Sequence, residues 1–200
     1  MSDRSLHVLV VVGSLAKQSA TRVVMSRVSE NLQCAGVFVD TLDLSMEPLE
    51  LLNPEESRET AEHIKLKERV DRADVLILGT PDYHGSMSGA LKNFLDHFWT
   101  EFAGKLFVSL VASNEKGLTV ADQVRTVARQ CYAWALPYAV SFVDREDVKD
   151  GQIVSDAFAS RLEMLVRDVR VYGALLSSQR AADLAGTGVG FMARYRPKQS

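Results

Sequence analysis

Three short, mostly apolar runs, Leu6–Val12, Val75–Leu78 and Leu106–Ala112, each pass through a compact polar loop into apolar residues at helical spacing. Runs this short and this continuously apolar suit strands buried on both faces, and such strands belong to parallel sheets covered by helices on each side. The other elements fit the same plan. Val24, Val28 and Leu32 mark one face of a helix that closes at Ala35-Gly36, and Val37–Leu42 reads as a strand. A polar connection from Asp43 to Arg58 carries Pro48 and Pro54, and residues 58–73 have a weaker helical stripe. Thr80-Pro81 is expected to end the third strand, since proline brings no N–H to a ladder.

After that strand, Met87, Ala90, Leu91, Phe94, Leu95 and Phe98 recur at helical spacing, as do Val120, Val124, Val127 and Cys131 after the fourth. A fifth strand is expected over Pro137–Val143, with proline at its start, where a missing donor is tolerable. Asp144–Gln152 is a charged turn region, and Leu162, Leu165, Val166, Val169 and Leu176 line a last long helix. Strands alternating with helices require a mostly parallel α/β sheet. The expectation is one three-layer, flavodoxin-like domain over residues 1–180, a five-stranded sheet in the order 2-1-3-4-5 with helices on both faces. Residues 181–200, Gly-rich and basic without periodicity, read as a flexible or docking tail.

Composition removes several function classes. A chain of 200 residues can bury a core as one domain, and a net charge of -3 gives no basic field for nucleic acid. The apolar runs are too short to span a membrane, and the N-terminus enters a strand pattern without resembling a signal peptide, so a cytoplasmic location is expected. Cys34 and Cys131 lack CxxC spacing and read as small hydrophobes. His7, His63, His84 and His97 form no HxxxH pair, so no metal is implied.

In the expected order, ligands lie at the switch point between the first and third strands, outside their carboxyl ends. The first loop, Gly13 to Thr21, offers hydroxyls at Ser14, Ser19 and Thr21, a cation at Lys17, and small Ala20 beside a helix N-terminus. Unpaired N–H groups and the positive end of the helix dipole there suit a phosphate. Ser19 alone is also explained as an ordinary N-cap, but capping does not account for the cluster. In the third loop, Pro81, Asp82, Tyr83, His84, Gly85 and Ser86 offer an aromatic ring and turn backbone, as a planar heterocycle needs. His84 is either a pH-sensitive partner or an ordinary loop histidine. The fourth loop, with Ser113, Asn114, Glu115 and Gly117, lies at the same sheet edge and is placed to close over the ring.

Other patterns are decoys. Residues 85–89 carry Met87 at the position a nucleophile elbow gives to serine. Asp96 and His97 are helix neighbours that point apart, and the 186–190 glycines lack a flanking strand and helix. A P-loop is excluded because the G-K-[ST] ending is missing.

GSLAKQSAT after the first strand and TPDYHGSMSGALKNFLD after the third together resemble the NADPH-dependent FMN reductase family. Pro81, Tyr83, Gly85, Ser86, Gly89, Leu91, Lys92, Asn93 and Asp96 fall in register with that family's P-E-Y-N-G-S-x-P-G-x-L-K-N-x-x-D stretch. The resemblance implies bound FMN, with its phosphate on the first loop and its ring against residues 81–86. It implies NADPH or NADH as electron donor, a small acceptor such as free flavin, quinone or azo dye, and a homodimer or homotetramer using the third helix. No catalytic acid or base is required. The chain departs from the pattern where the usual arginine is Ala16, the asparagine is Thr21, the Glu and Asn of P-E-Y-N are Asp82 and His84, and the later proline is Ser88. Weaker flavin retention follows from losing a bidentate phosphate donor. Two competing readings are a flavodoxin-type electron carrier that ignores NAD(P)H and a non-catalytic member without FMN; modest charge argues against the carrier.

Overall fold

In the computed structural model, which describes residues 5–56 and 60–197, the apolar runs assemble side by side. Strand β1 (His7–Val12) lies between β2 (Phe38–Asp43) and β3 (Val75–Tyr83), and β3 pairs in parallel with β5 (Leu106–Ala112). The order β2-β1-β3-β5, with a last edge position beyond β5, is the expected flavodoxin-like arrangement.

The fifth position is split. Trp134–Ala135 (β6) pairs with the start of β5 and Val140–Phe142 (β7) with its end. Pro137 sits in the gap, where its missing N–H interrupts the ladder. The strand expected over Pro137–Val143 is therefore cut to Val140–Phe142 and supplemented upstream.

Alternation along each strand divides the interior in two. Val8, Val10, Val75, Ile77, Val108 and Leu110 face α1 (Ala20–Cys34) and α5 (Asp156–Ala185). Leu9, Val11, Leu76, Leu78, Phe107 and Val111 face α2 (Ala61–Arg72), α3 (Gly89–Asp96) and α4 (Leu118–Gln130). Both sides of β1, β5 and the first part of β3 are buried, which is why those runs are mostly apolar, whereas the edge strand β2 stays partly exposed. At the end of α2, the buried Lys105 ammonium donates to the carbonyls of Val70, Asp71 and Ala73, at 2.5, 3.0 and 2.6 Å. A cation at a helix C-terminus meets orphan carbonyls and the negative end of the dipole.

Three expectations need revision. Thr80-Pro81 does not end β3, which continues to Tyr83 with Pro81 paired to Ala112. Gly79 accepts from Gly13 N–H at 2.7 Å, so the backbone of Gly79 faces β1, as does that of Pro81 two residues on. Pairing with β1 stops at Gly79, so a missing donor at Pro81 disrupts nothing. Met87 is not in the helix but in β4 (Ser86–Met87), which folds back on β3, while Ser88 caps α3 through Leu91 N–H. The division at residue 180 falls inside α5, because residues 181–185 are mostly strong helix formers and carry the helix on to Ala185.

Past that helix a 3-10 turn, Phe191–Tyr195, buries Met192 and sets Phe191 against Tyr132. The start of the second helix expected at residue 58 lies outside the described residues, and so does the tail from residue 198. The charged turn region folds as a hairpin, β8 (Val148–Lys149) and β9 (Gln152–Ile153). Its connecting residues Asp150 and Gly151 both have positive φ, 50° and 74°, the backbone of a two-residue type I′ turn.

Candidate active site

The carboxyl ends of β1, β3 and β5 open onto one groove of about 230 Å³. Its walls are Ser14, Ala16, Gln18, Ser19, Ala20 and Thr21 from the first loop, Pro81, Asp82 and Tyr83 from the end of β3, Ala112, Ser113 and Asn114 after β5, and Asp144. The switch point thus brings Ser14, Ser19, Ala20, Thr21, Pro81, Asp82, Tyr83, Ser113 and Asn114 together in one place.

One end of the groove gathers hydrogen-bond donors around the N-terminus of α1. Ser19 is the N-cap of α1 and its hydroxyl accepts from Arg22 N–H at 3.2 Å. The N–H groups of Ala20 and Thr21, in the first turn, have no intrahelical partner by helix geometry. Behind the loop, Arg22 gathers the carbonyls of Ala16 (2.9 Å), Lys17 (3.2 Å) and Ser14 (3.4 Å). The same guanidinium donates to Asp43 at 2.5 Å and to the Ser45 hydroxyl at 2.6 Å. Burial works to raise the Asp43 pKa, but the hydrogen bonds from Arg22 and Ser45 outweigh it and hold the carboxyl below its ordinary value. With its carbonyls held by Arg22, the loop presents N–H groups and hydroxyls as donors for a phosphate.

The other end is a rigid turn. Tyr83-His84-Gly85-Ser86 is a two-residue hairpin, His84 and Gly85 having φ of 56° and 76°. Asp82 accepts from Gly85 N–H at 2.8 Å and from the Ser113 hydroxyl at 2.8 Å, tying the hairpin to the loop after β5. From α4, Gln123 holds Met87 N–H and Gly85 C=O. Tyr83 keeps 53% of its surface exposed at the edge of the groove.

The two ends share a joint. Ser88 donates its hydroxyl to Gly13 C=O at 2.6 Å while its own N–H bonds Thr80 Oγ1 at 2.9 Å. Gly13 has no room for a side chain, since a Cβ there would lie 2.8 Å from Gly79 O and 2.9 Å from Leu91 Cβ.

Several expected residues lie elsewhere. Lys17, which is exposed, lines a neighbouring cleft rather than the groove. His84, Gly85 and Ser86 shape the hairpin and do not line the groove. Glu115, whose N–H donates to the Ser113 hydroxyl, and Gly117, with φ of 60°, shape the loop after β5. Arg22 was missed by sequence reading, although an arginine in the first turn of a helix opposes the dipole and so marks a position with a specific task. Among the described residues, no cluster suited to a metal is present.

A parallel sheet in this strand order, with a donor-rich loop after its first strand and a rigid aromatic turn after its third, is a flavodoxin-like architecture. The chain belongs to the NADPH-dependent FMN reductase family, whose model matches residues 6–147. It is 32% identical over 171 residues to an NADPH azoreductase of Bacillus sp. (strain OY1-2), covering 84% of this chain and 92% of that one. It is 31% identical over 150 residues to the FMN-dependent NADPH-azoreductase of Staphylococcus aureus, covering 71% and 79%. The fold matches a crystal structure of an NADH:FMN oxidoreductase in its apo form with a TM-score of 0.69 at 20% identity, over 84% of this chain and 90% of that one.

Proposed function

We propose that the groove holds FMN by its phosphate at the first loop and α1, with the ring system toward Pro81–Tyr83 and Ser113–Asn114, and that the chain is an azo- or quinone-reducing member of its family. The chemistry supplied by bound FMN is acceptance of hydride from NAD(P)H and delivery of electrons to an acceptor. The donor set fits the group: helix-terminal N–H groups with the Ser14, Ser19 and Thr21 hydroxyls for a dianion, and backbone and Asn114 for a polar ring edge. Ala16 stands where the family arginine would reach the phosphate, so this loop relies on neutral donors.

At about 230 Å³ the groove is smaller than the ~300–1,000 Å³ of most enclosed ligand pockets, so a flavin seated in it keeps part of its ring open to the nicotinamide and the acceptor. The residues bind and orient; none of them is required to move a proton. Tyr83 is a positioning residue at the ring end.

The observation that carries this reading is the convergence of the donor-rich loop and the Asp82–Ser113-tied turn on one groove. The experiment is an FMN titration followed by NADPH oxidation with an azo dye and a quinone. Saturable FMN binding and acceptor-dependent NADPH oxidation are expected. Binding without NADPH oxidation would favour an electron carrier, and no binding would overturn the reading.

The acceptor class follows the azoreductase relatives. We also place the chain in the cytoplasm and in a homodimer or homotetramer. The surface beside α3 supports assembly: Leu15 and Leu51, exposed at 58% and 83%, border an apolar groove with Pro48 and Ala90. Sedimentation of the purified chain tests it.

A further inference from the structure

A cleft of about 860 Å³ opens beside the groove, between α1 and the β8–β9 hairpin. It shares Gln18, Ser19, Ala20 and Asp144 with the groove, so the two are continuous at the phosphate end. Val23, Val148 and Ile153 supply apolar lining, and the charges are distributed unevenly. Arg22 is committed to Asp43, and Arg27 pairs with Glu30 at 3.5 Å. Lys17, on the loop, and Arg145, on the hairpin side, are exposed and make no ion pair among the described residues. Asp144 and Asp150 also line the cleft, so it is balanced rather than broadly basic. That leaves Lys17 and Arg145 as the cations open to a phosphate, with carboxylates beside them that can accept from ribose hydroxyls.

Arg145 is held in an unusual conformation. Its φ is 72°, in the left-handed region that asparagine or glycine adopts at lower cost, and its N–H is fixed to Val148 C=O at 2.9 Å. That hydrogen bond holds the backbone of Arg145 at the rim of the cleft, and its side chain makes no ion pair among the described residues.

The reductant supplies the candidate. A nicotinamide laid against a flavin in the groove leaves the rest of its dinucleotide to be housed, and the groove is too small for both. NADPH differs from NADH by one phosphate on the adenosine ribose, and recognising that dianion takes cations free to pair with it. We propose that this cleft takes the adenosine half of NADPH, and that Lys17 and Arg145 hold its 2′-phosphate. Val23, Val148 and Ile153 offer the apolar surface for the adenine. The proposal rests on the groove being the flavin site.

The test compares binding of 2′,5′-ADP and 5′-ADP to the FMN-loaded protein by calorimetry, alongside the ratio of kcat/KM for NADPH over NADH. The wild type is expected to favour 2′,5′-ADP by about tenfold or more, the range of a charge-assisted pair, with the preference shrinking as salt is added. Arg145→Asn removes the cation while suiting the left-handed backbone, and is expected to lower both preferences by about tenfold. A wild type blind to the 2′-phosphate, or an Arg145→Asn variant with both preferences intact, overturns the proposal.

Lys17→Ala is expected to weaken 2′,5′-ADP while FMN affinity stays within about twofold. A large loss of FMN affinity with 2′,5′-ADP unaffected would assign Lys17 to the flavin phosphate and overturn its role here. The underlying groove reading fails separately. If a Ser19→Ala, Thr21→Ala double variant binds FMN as the wild type does, the flavin lies elsewhere, whatever the cleft binds.

Discussion

Arg22 and Asp43 meet behind the first loop, Nε to Oδ2 at 2.5 Å, and the guanidinium anchored there holds the backbone of Ser14, Ala16 and Lys17. Arg22 thus shapes the loop from outside the groove. Arg22→Ala is expected to weaken FMN binding by about 10- to 100-fold, the range for losing charge-assisted hydrogen bonds. Arg22→Lys should recover only part of it, since a point charge cannot gather several acceptors as a planar fork does. Quenching of flavin fluorescence measures both, and wild-type affinity in Arg22→Ala would show that the loop keeps its shape unaided.

The same pair sets an acid limit. Asp43 has a lowered pKa in the folded chain because hydrogen bonds from Arg22 and Ser45 outweigh the opposing effect of burial. A depressed carboxyl contributes stability fully above its unfolded value of about 3.9, and that contribution fades as pH falls through the folded value. Urea unfolding of the wild type between pH 6 and about 3 should therefore show a loss near the acid end that Asp43→Asn lacks. The variant should already be less stable at pH 6.

Gly13 tests how tightly the base of the loop is packed. Its amide is bonded to Gly79, its carbonyl to Ser88, and a Cβ would press on Gly79 O and Leu91 Cβ. Gly13→Ala is expected to cost about 1–3 kcal/mol, as overpacking of a filled core does. A lower urea midpoint at constant slope would register it; an unchanged midpoint would mean that β3 and α3 yield freely.

The cysteines should separate cleanly in a thiol assay. Cys131 is buried, and burial followed by the nearby Glu101 pushes its thiol up to about 11, whereas Cys34 is exposed. At pH 8 a thiol reagent is expected to modify Cys34 in the native protein and Cys131 only after unfolding. Fast native labelling of both would contradict the burial described for Cys131.

Most of the sheet was legible because Val8–Val12, Val75–Leu78 and Leu106–Val111 are apolar on both faces, a pattern few other structures produce. Pro81 misled because proline stops a ladder only where a neighbour needs its N–H, and at Pro81 the neighbour β1 has already ended. At the site, the hydroxyls and Tyr83 were readable by residue type and loop position. Lys17 lines the neighbouring cleft, a placement that residue type and loop position do not reveal. Arg22 escaped because its role depends on Asp43 and Ser45, brought beside it by the pairing of β1 with β2.

Ser88 occupies the place of a proline in the family pattern and links Gly13 at one end of the groove to Thr80 and α3 at the other. Proline has neither the hydroxyl nor the N–H that form these bonds. Loosening either loop therefore strains the other, and the two should open as one cooperative unit. Amide exchange at residues 14–21 and 84–88 is expected to share one opening free energy, and flavin seated at the first loop should slow exchange at the second by the same factor. For this chain, flavin release would then be governed by a single opening event rather than by two independent loops.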